Sequence, residues 1–311
     1  MRKKVFIDGQ AGTTGLRIEE RLSGREDIER ILLPEEQRKD PEARREALNR
    51  ADIVFLCLPD AAAREALAMV ENPDTVLLDT STAHRTDPVF AYGFPELSPA
   101  HEEAVRRSKR IAVPGCHASG FIALIYPLIE EGLLSPDCLL SCYSLTGYSG
   151  GGKKMIAEYQ APDRSPLLDA PRLYGLSLNH KHLPEMQKIS GLACPPLFCP
   201  VVADFYSGML VTVPLPRALL AHGAGLREVA AVYARRYTGP VVRFCGALAE
   251  EGFLSAAALS GKDSMQILLQ GNEERLLLLA RYDNLGKGAS GAAVECLNLL
   301  LGCDPAYRLV L

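Results

Sequence analysis

Five residue types at three places in this chain could do chemistry together. Cys116 sits in the run VPGCHASG at residues 113–120, between an apolar stretch, Arg110-Ile111-Ala112-Val113, and a helix-like segment at residues 117–131. A thiol where a strand turns into a helix meets the first unpaired backbone N–H groups and the positive end of the helix dipole, and both favour the thiolate. That is the position of a nucleophile. The segment Asn179-His180-Lys181-His182-Leu183-Pro184-Glu185 supplies two imidazoles, the side chain whose ordinary pKa allows proton movement near neutrality, and a carboxylate that could orient one of them. The glycine-rich run Thr146-Gly147-Tyr148-Ser149-Gly150-Gly151-Gly152-Lys153 offers backbone N–H groups, a hydroxyl and a cation to an anion. It lacks the spacing of a nucleotide triphosphate loop.

These groups need elements to hold them. Residues 3–8 form a short apolar run, followed by Gly9, Gly12 and Gly15 in a GxxGxxG pattern and then by Leu16, Ile18 and Leu22 at helical spacing. Strand, glycine turn and helix in that order are the setting of a dinucleotide-binding fingerprint, and Thr13 and Thr14 at the helix start suit a pyrophosphate. Apolar stretches at 28–33, 53–58 and 75–79 alternate with helical segments at 41–50 and 61–70. The alternation predicts an α/β fold whose first domain is a Rossmann-like, doubly wound parallel sheet with ligand at the carboxyl ends of the strands. After the second strand, Arg38 and Lys39 favour a 2′-phosphate and hence NADP(H), while Glu35 and Glu36 favour the ribose hydroxyl of NAD.

Beyond residue 137 the pattern changes. Residues 138–145, 198–202, 209–214 and 276–282 read as strands, 226–237 as an amphipathic helix and 292–301 as a strongly apolar final helix. A mixed, largely antiparallel α+β domain is expected, with the last helix returning to the first domain. The boundaries expected are 1–116 with 286–311 for the dinucleotide-binding domain and 117–285 for the catalytic and oligomerisation domain.

Composition limits the remaining choices. At 311 residues, 48% hydrophobic and with a net charge of −4, the chain is expected to form two packed domains, to act on a small molecule, and to present no basic face to nucleic acid or membrane. No apolar run is long enough for a membrane span or leader, so a cytoplasmic location is expected. Nine cysteines, an odd number, then suggest reduced thiols. The pairs Cys138/Cys142 and Cys194/Cys199 have only the loosest zinc-ligand spacing, and no metal is expected.

With PGCHASG, HKHLPE and DNLGKGASGAA all read, the chain resembles the N-acetyl-γ-glutamyl-phosphate reductases of the aspartate-semialdehyde dehydrogenase superfamily, in their compact form. The resemblance runs through Asp79-Thr-Ser81-Thr-Ala-His-Arg85, Tyr92-Gly-Phe-Pro-Glu96, the Cys116 turn, the Ser149 loop, the His180 segment and the Asn284 loop. Where that family often has PGCYPT and HRHxPE, this chain has His117 and Lys181. The resemblance implies NADPH-dependent reduction of an acyl phosphate to a semialdehyde in arginine biosynthesis, with Cys116 as nucleophile and His180 as acid/base. It makes His182 the second choice for that role and Glu185 a positioning group. It implies Gly9, Gly12, Thr13, Thr14, Gly15, Ser81, Arg85 and Asn284, with Arg38, as dinucleotide contacts. Ser119, Ser149 and Lys153 become candidates for substrate anions, and a homodimer or homotetramer is expected. The alternatives are a sister reductase of aspartyl or aminoadipyl phosphate and a dinucleotide sensor without catalysis.

Overall fold

The computed structural model describes residues 2–248 and 250–311. The chain divides into two compact units, one running through Pro95 and including Ala100–Pro114 and Ala289–Leu309, the other comprising Glu96–Pro99, Gly115–Gly288 and Val310–Leu311.

The first unit is built on six strands: β1 (Lys3–Asp8), β2 (Ile28–Ile31), β3 (Ile53–Leu56), β4 (Val76–Asp79), β5 (Ala91–Tyr92) and β6 (Arg110–Ala112). Their order is β2-β1-β3-β4-β6-β5, and every pairing is parallel. Successive side chains leave a strand on opposite faces, and here both faces are covered. Val5, Ile7, Phe55 and Leu78 pack on one side with Ile18 and Leu22 of helix α1 (Thr13–Leu22) and with Ala293 and Leu297 of the helix Gly291–Leu300. Phe6, Val54, Leu56 and Leu77 pack on the other with Leu48 of α2 (Pro41–Arg50) and Ala66 of α3 (Asp60–Ala68). Helix α4 (Pro99–Arg107) adds Val105 to the first side. Near-continuous apolar runs such as residues 53–56 are explained by this double burial. The second strand is shorter than the run at 28–33 suggested, because Pro34 has no N–H to carry the ladder onward and the chain instead makes a 3₁₀ turn at Glu35–Gln37.

The second unit opens with α5 (Cys116–Glu130) and carries a seven-stranded sheet of order β11-β12-β13-β10-β7-β9-β8. Its strands are β7 (Ser141–Gly147), β8 (Arg172–Leu173), β9 (Leu197–Ala203), β10 (Met209–Pro216), β11 (Val242–Gly246), β12 (Met265–Gly271) and β13 (Arg275–Tyr282). Only β7/β9 and β11/β12 are parallel pairs. The helices are α6 (Gly152–Gln160), α7 (Leu183–Ser190) and α8 (Leu226–Arg236), and α9 is the helix Gly291–Leu300 already placed in the first unit. Strand β7 starts three residues later than the apolar run at 138–145 suggested, since Cys138 N–H closes a turn on Ser135 O. Strand β12 was not anticipated. The glycine-rich segment is not an open loop: Tyr148–Gly151 forms a 3₁₀ turn, and Gly152, at φ +72°, lets α6 start at once.

Gly9 is the most closely packed glycine of the first unit. It has φ +86°, and a Cβ there would lie 2.3 Å from the Cys57 carbonyl oxygen. Gly9→Ala is therefore expected to lower stability by about 1–3 kcal/mol, the usual cost of overpacking a closed site; denaturant unfolding with an unchanged m-value and a lower midpoint would show it.

Candidate active site

In the second unit Cys116 is the first residue of α5, and its side chain is half-buried. Gly115 is the N-cap and offers no side chain to the N–H groups of the first turn. Four side chains from distant sequence hold this turn. Glu185, on the first turn of α7 and buried, accepts the Gly115 N–H at 2.8 Å. The Tyr282 hydroxyl, at the end of β13, accepts the Gly120 N–H at 3.0 Å and donates to the Cys116 carbonyl. His117 is buried, with Nδ1 2.7 Å from Ser144 Oγ on β7 and Nε2 2.7 Å from the Tyr174 hydroxyl.

A cavity of about 290 Å³ opens at this point, lined by Cys116, His117, Thr146, Gly147, Gly150, Gly151, Met155, Tyr174, His180, Lys181, His182 and Val202. The three histidines are grouped: ring centroids of His117 lie 5.7 Å from those of both His180 and His182, and His180 and His182 are 4.8 Å apart. Phe198 packs edge-on against His117 and His180. Burial, with the neighbouring His180 and the Lys181 ammonium, drives His117 down to about 3. Burial and Lys181 drive His180 down to about 4. Both rings are neutral near pH 7. The His182 backbone N–H donates to His180 Nδ1 at 3.2 Å, so neutral His180 carries its proton on Nε2.

The structure thus brings Cys116, His180 and His182 into one cavity, with Glu185 holding the backbone just before the thiol. The substrate-anion candidates are placed differently. Ser119 is buried in α5 and donates to the Gly115 carbonyl at 3.0 Å. Ser149 is buried and accepts from Asn284 Nδ2 at 3.0 Å. Lys153 is exposed on the first turn of α6. Lys181 is the cation that lines the cavity. Asn284 is committed locally as well, since its Oδ1 accepts the Gly208 N–H at 2.9 Å. Tyr174 and Tyr282 were not signalled by the sequence, because no spacing rule links a tyrosine just after a short edge strand or at the end of a central one to residue 116.

In the first unit, Gly9 and Gly12 form the turn between β1 and α1, closed by the Gly12 N–H on Gly9 O at 2.9 Å. Gly12 caps α1 without a side chain, Thr13 and Thr14 begin the helix, and a Cβ on Gly15 would lie 2.6 Å from Gly9 O. Backbone N–H groups at such a turn suit a pyrophosphate. A cleft of about 280 Å³ beside it is walled by Phe6, Ile7, Leu33, Leu58 and Ala62 and bears Arg38, Lys39 and Arg44. Arg44 is held there by Asp8, with Nη2 to Oδ2 at 2.8 Å. An apolar slot with cations fits an adenosine carrying a phosphate. Ser81 and Arg85 are buried and engaged with protein: Ser81 donates to Asp79 Oδ2 at 2.8 Å, while Arg85 donates to the carbonyls of Val113 and Thr80, each at 2.9 Å. Among the described residues no group of three or more His, Cys, Asp or Glu is placed to hold a metal ion, and no helix is long and apolar enough to cross a membrane.

Residues 4–105 match the model of the semialdehyde dehydrogenase NAD-binding domain, and residues 116–284 that of the semialdehyde dehydrogenase dimerisation domain. The chain belongs to the semialdehyde dehydrogenase family, and its first unit is a nicotinamide-dinucleotide-binding domain. Within that class, relatives similar over nearly the whole chain are named N-acetyl-gamma-glutamyl-phosphate reductase. The N-acetyl-gamma-glutamyl-phosphate reductase 2 of Pseudomonas putida is 44% identical, covering 97% of this chain and 98% of its own. The N-acetyl-gamma-glutamyl-phosphate reductase of Chelativorans sp. is 45% identical over 97% and 99%. The fold is also that of aspartate semialdehyde dehydrogenase II from Vibrio cholerae, with a TM-score of 0.74 at 15% identity over 97% of this chain and 99% of the other. The Candida albicans aspartate semialdehyde dehydrogenase solved with NADP gives 0.68 at 15% identity over 96% and 98%.

The depressed pKa values set a pH dependence. Between about 3 and 6.5 an unfolded chain protonates residue 117 while the folded protein keeps it neutral, so the unfolded state binds more protons and stability falls as pH drops through that window. Unfolding midpoints measured between pH 7 and 4 are expected to decline less steeply in His117→Asn than in the wild type; an unaltered slope would remove His117 from the account.

Proposed function

We propose that the protein reduces N-acetyl-γ-glutamyl phosphate to the corresponding semialdehyde, using NADPH, as a step of arginine biosynthesis. The observation that carries this reading is the cavity in which a thiol at a helix N-terminus shares its walls with three histidines and a lysine, together with relatives that bear this enzyme's name. Cys116 Sγ, as thiolate, forms a bond to the acyl carbon while the bond to the phosphate oxygen breaks and inorganic phosphate leaves. Capture as a thioester divides one difficult displacement into two easier steps. Bound at the glycine turn, the reduced dinucleotide supplies the hydride. The N–H groups at Cys116 and His117 and the Nε2–H of His180 stabilise the oxygen as negative charge develops on it. Hydride addition leaves the negative charge on that oxygen, and its electrons re-form the carbonyl as the carbon–sulfur bond breaks and Cys116 departs as the thiolate, with the Nε2–H of His180 hydrogen-bonded to the oxygen throughout and His182 buried beside it. Lys181 attracts the anionic ends of the substrate.

Gly9, Gly12, Thr13, Thr14 and Gly15 would hold the pyrophosphate, and Arg38, Lys39 and Arg44 a 2′-phosphate. Arg44 favours NADP over NAD because its guanidinium is already oriented by Asp8. The sheet of the second unit leaves Tyr143, Leu197 and Leu277 exposed. An apolar surface on a domain of this family supports a homo-oligomer.

The test runs the reaction in reverse with phosphate, NADP and each of two semialdehydes, following NADPH absorbance. Turnover of N-acetylglutamate semialdehyde is expected, and turnover of aspartate semialdehyde alone would make the substrate assignment wrong. Cys116→Ser is expected to bind NADPH and to lose turnover, and His180→Asn to lose roughly two to three orders of magnitude in rate. Arg38→Ala should raise KM for NADP by about tenfold or more and leave NAD unaffected, the scale of one lost hydrogen bond to a charged group.

A further inference from the structure

The geometry points to Tyr282 as a positioning residue whose hydroxyl orients the Cys116–His117 peptide, and this rests on the proposed role of Cys116. The hydroxyl accepts the Gly120 N–H and donates to the Cys116 carbonyl. Those two groups are the donor and acceptor that an α-helix pairs with each other across its first full turn. A fully buried side chain from another element therefore grips the turn that presents the thiol. The grip is tight: a Cβ on Gly120 would lie 2.7 Å from the Tyr282 oxygen.

The neighbouring segment closes on the same residue, since a Cβ on Gly288 would come within 3.1 Å of the Cys116 Cβ. Tyr282 itself cannot drift. It ends β13, a central strand, paired to Met209 of β10 and to Met265 of β12.

Holding the carbonyl holds the amide. In a planar trans peptide the C=O of Cys116 and the N–H of His117 point in opposite directions, so an oxygen fixed on Tyr282 fixes the direction in which that N–H leaves the helix terminus. The His117 N–H is one of the donors assigned to the developing oxyanion. A donor contributes fully only if it is aimed before the charge appears. Tyr282 touches neither substrate nor cofactor in this account. It acts through the backbone, so its removal lowers the rate of the chemical steps and leaves substrate binding in place.

Tyr282→Phe keeps the ring and removes the oxygen. Gly120 N–H and Cys116 C=O can still satisfy each other, so the protein is expected to fold. Gly120→Ala is the companion variant, in which tyrosine is retained and its hydroxyl is pushed away by the added methyl. Both are measured in the reverse assay with N-acetylglutamate semialdehyde, with kcat expressed per Cys116 thiol titrated by iodoacetamide and located by peptide mass spectrometry. The expected result for Tyr282→Phe is a kcat lower by about 10- to 100-fold with KM for the semialdehyde within about threefold of wild type, the signature of an interaction made in the transition state. A soluble Gly120→Ala should show the same split.

An unchanged kcat per titrated thiol in Tyr282→Phe, or a loss carried by KM, overturns the proposal. Cys116→Ser in the same assay separates the two readings. If it is inactive while Tyr282→Phe matches wild type, only the role of Tyr282 falls. If it turns over, the thiol mechanism falls and the Tyr282 proposal with it.

Discussion

The catalytic unit depends on how one helical turn is held. Residues 115–120 carry the thiol, the N–H groups of a helix start and the glycine that admits Tyr282, and three backbone groups of the turn have partners supplied from far along the chain. Glu185 takes the Gly115 N–H, Tyr282 takes the Cys116 carbonyl and the Gly120 N–H, and Ser144 and Tyr174 fix the side chain of His117. A helix N-terminus is ordinarily frayed and solvated. Here it is buried and clamped, so its dipole and its donors act from a fixed position in a medium where electrostatic effects are less screened than in water.

That clamping explains the electrostatics of the cavity. Placing three imidazoles within 6 Å of one another would be costly if they were charged, and burial removes the charge by lowering His117 and His180 far below the ordinary value of 6.5. The exposed Lys181 reinforces this while remaining available to anions. His117 is the imidazole that follows the thiol directly in sequence. Its neutral ring keeps a hydrogen bond at each nitrogen, so it serves as a structural bridge between β7 and Tyr174. The Arg44–Asp8 pair plays a comparable part in the dinucleotide-binding unit, where an acid at the end of β1 orients a cation into an apolar slot.

Much of this was legible in the chain itself. The parallel-sheet domain follows from local rules, because apolar runs buried on both faces, glycine after β1 and helical spacing in α1 each depend on neighbours in sequence. Cys116 and the histidine segment stand out because their residue types are rare and chemically distinctive. The polar candidates for substrate and dinucleotide contacts show where this reasoning stops. Ser119, Ser149 and Asn284 have suitable functional groups, but whether such a group faces a cavity or a neighbouring carbonyl is a matter of rotamer and packing, and here all three are engaged with protein.

The order of strands, glycines and chemical residues was determined by the sequence alone, since each is set by periodicity, turn preference or reactivity within a few residues. Only the tertiary structure decided which side chains meet. Tyr282 is 166 residues from Cys116, and Glu185 is 70 from Gly115. Contacts at such separations arise from sheet order and register, which bring β13 and α7 against the start of α5, and no local pattern encodes them.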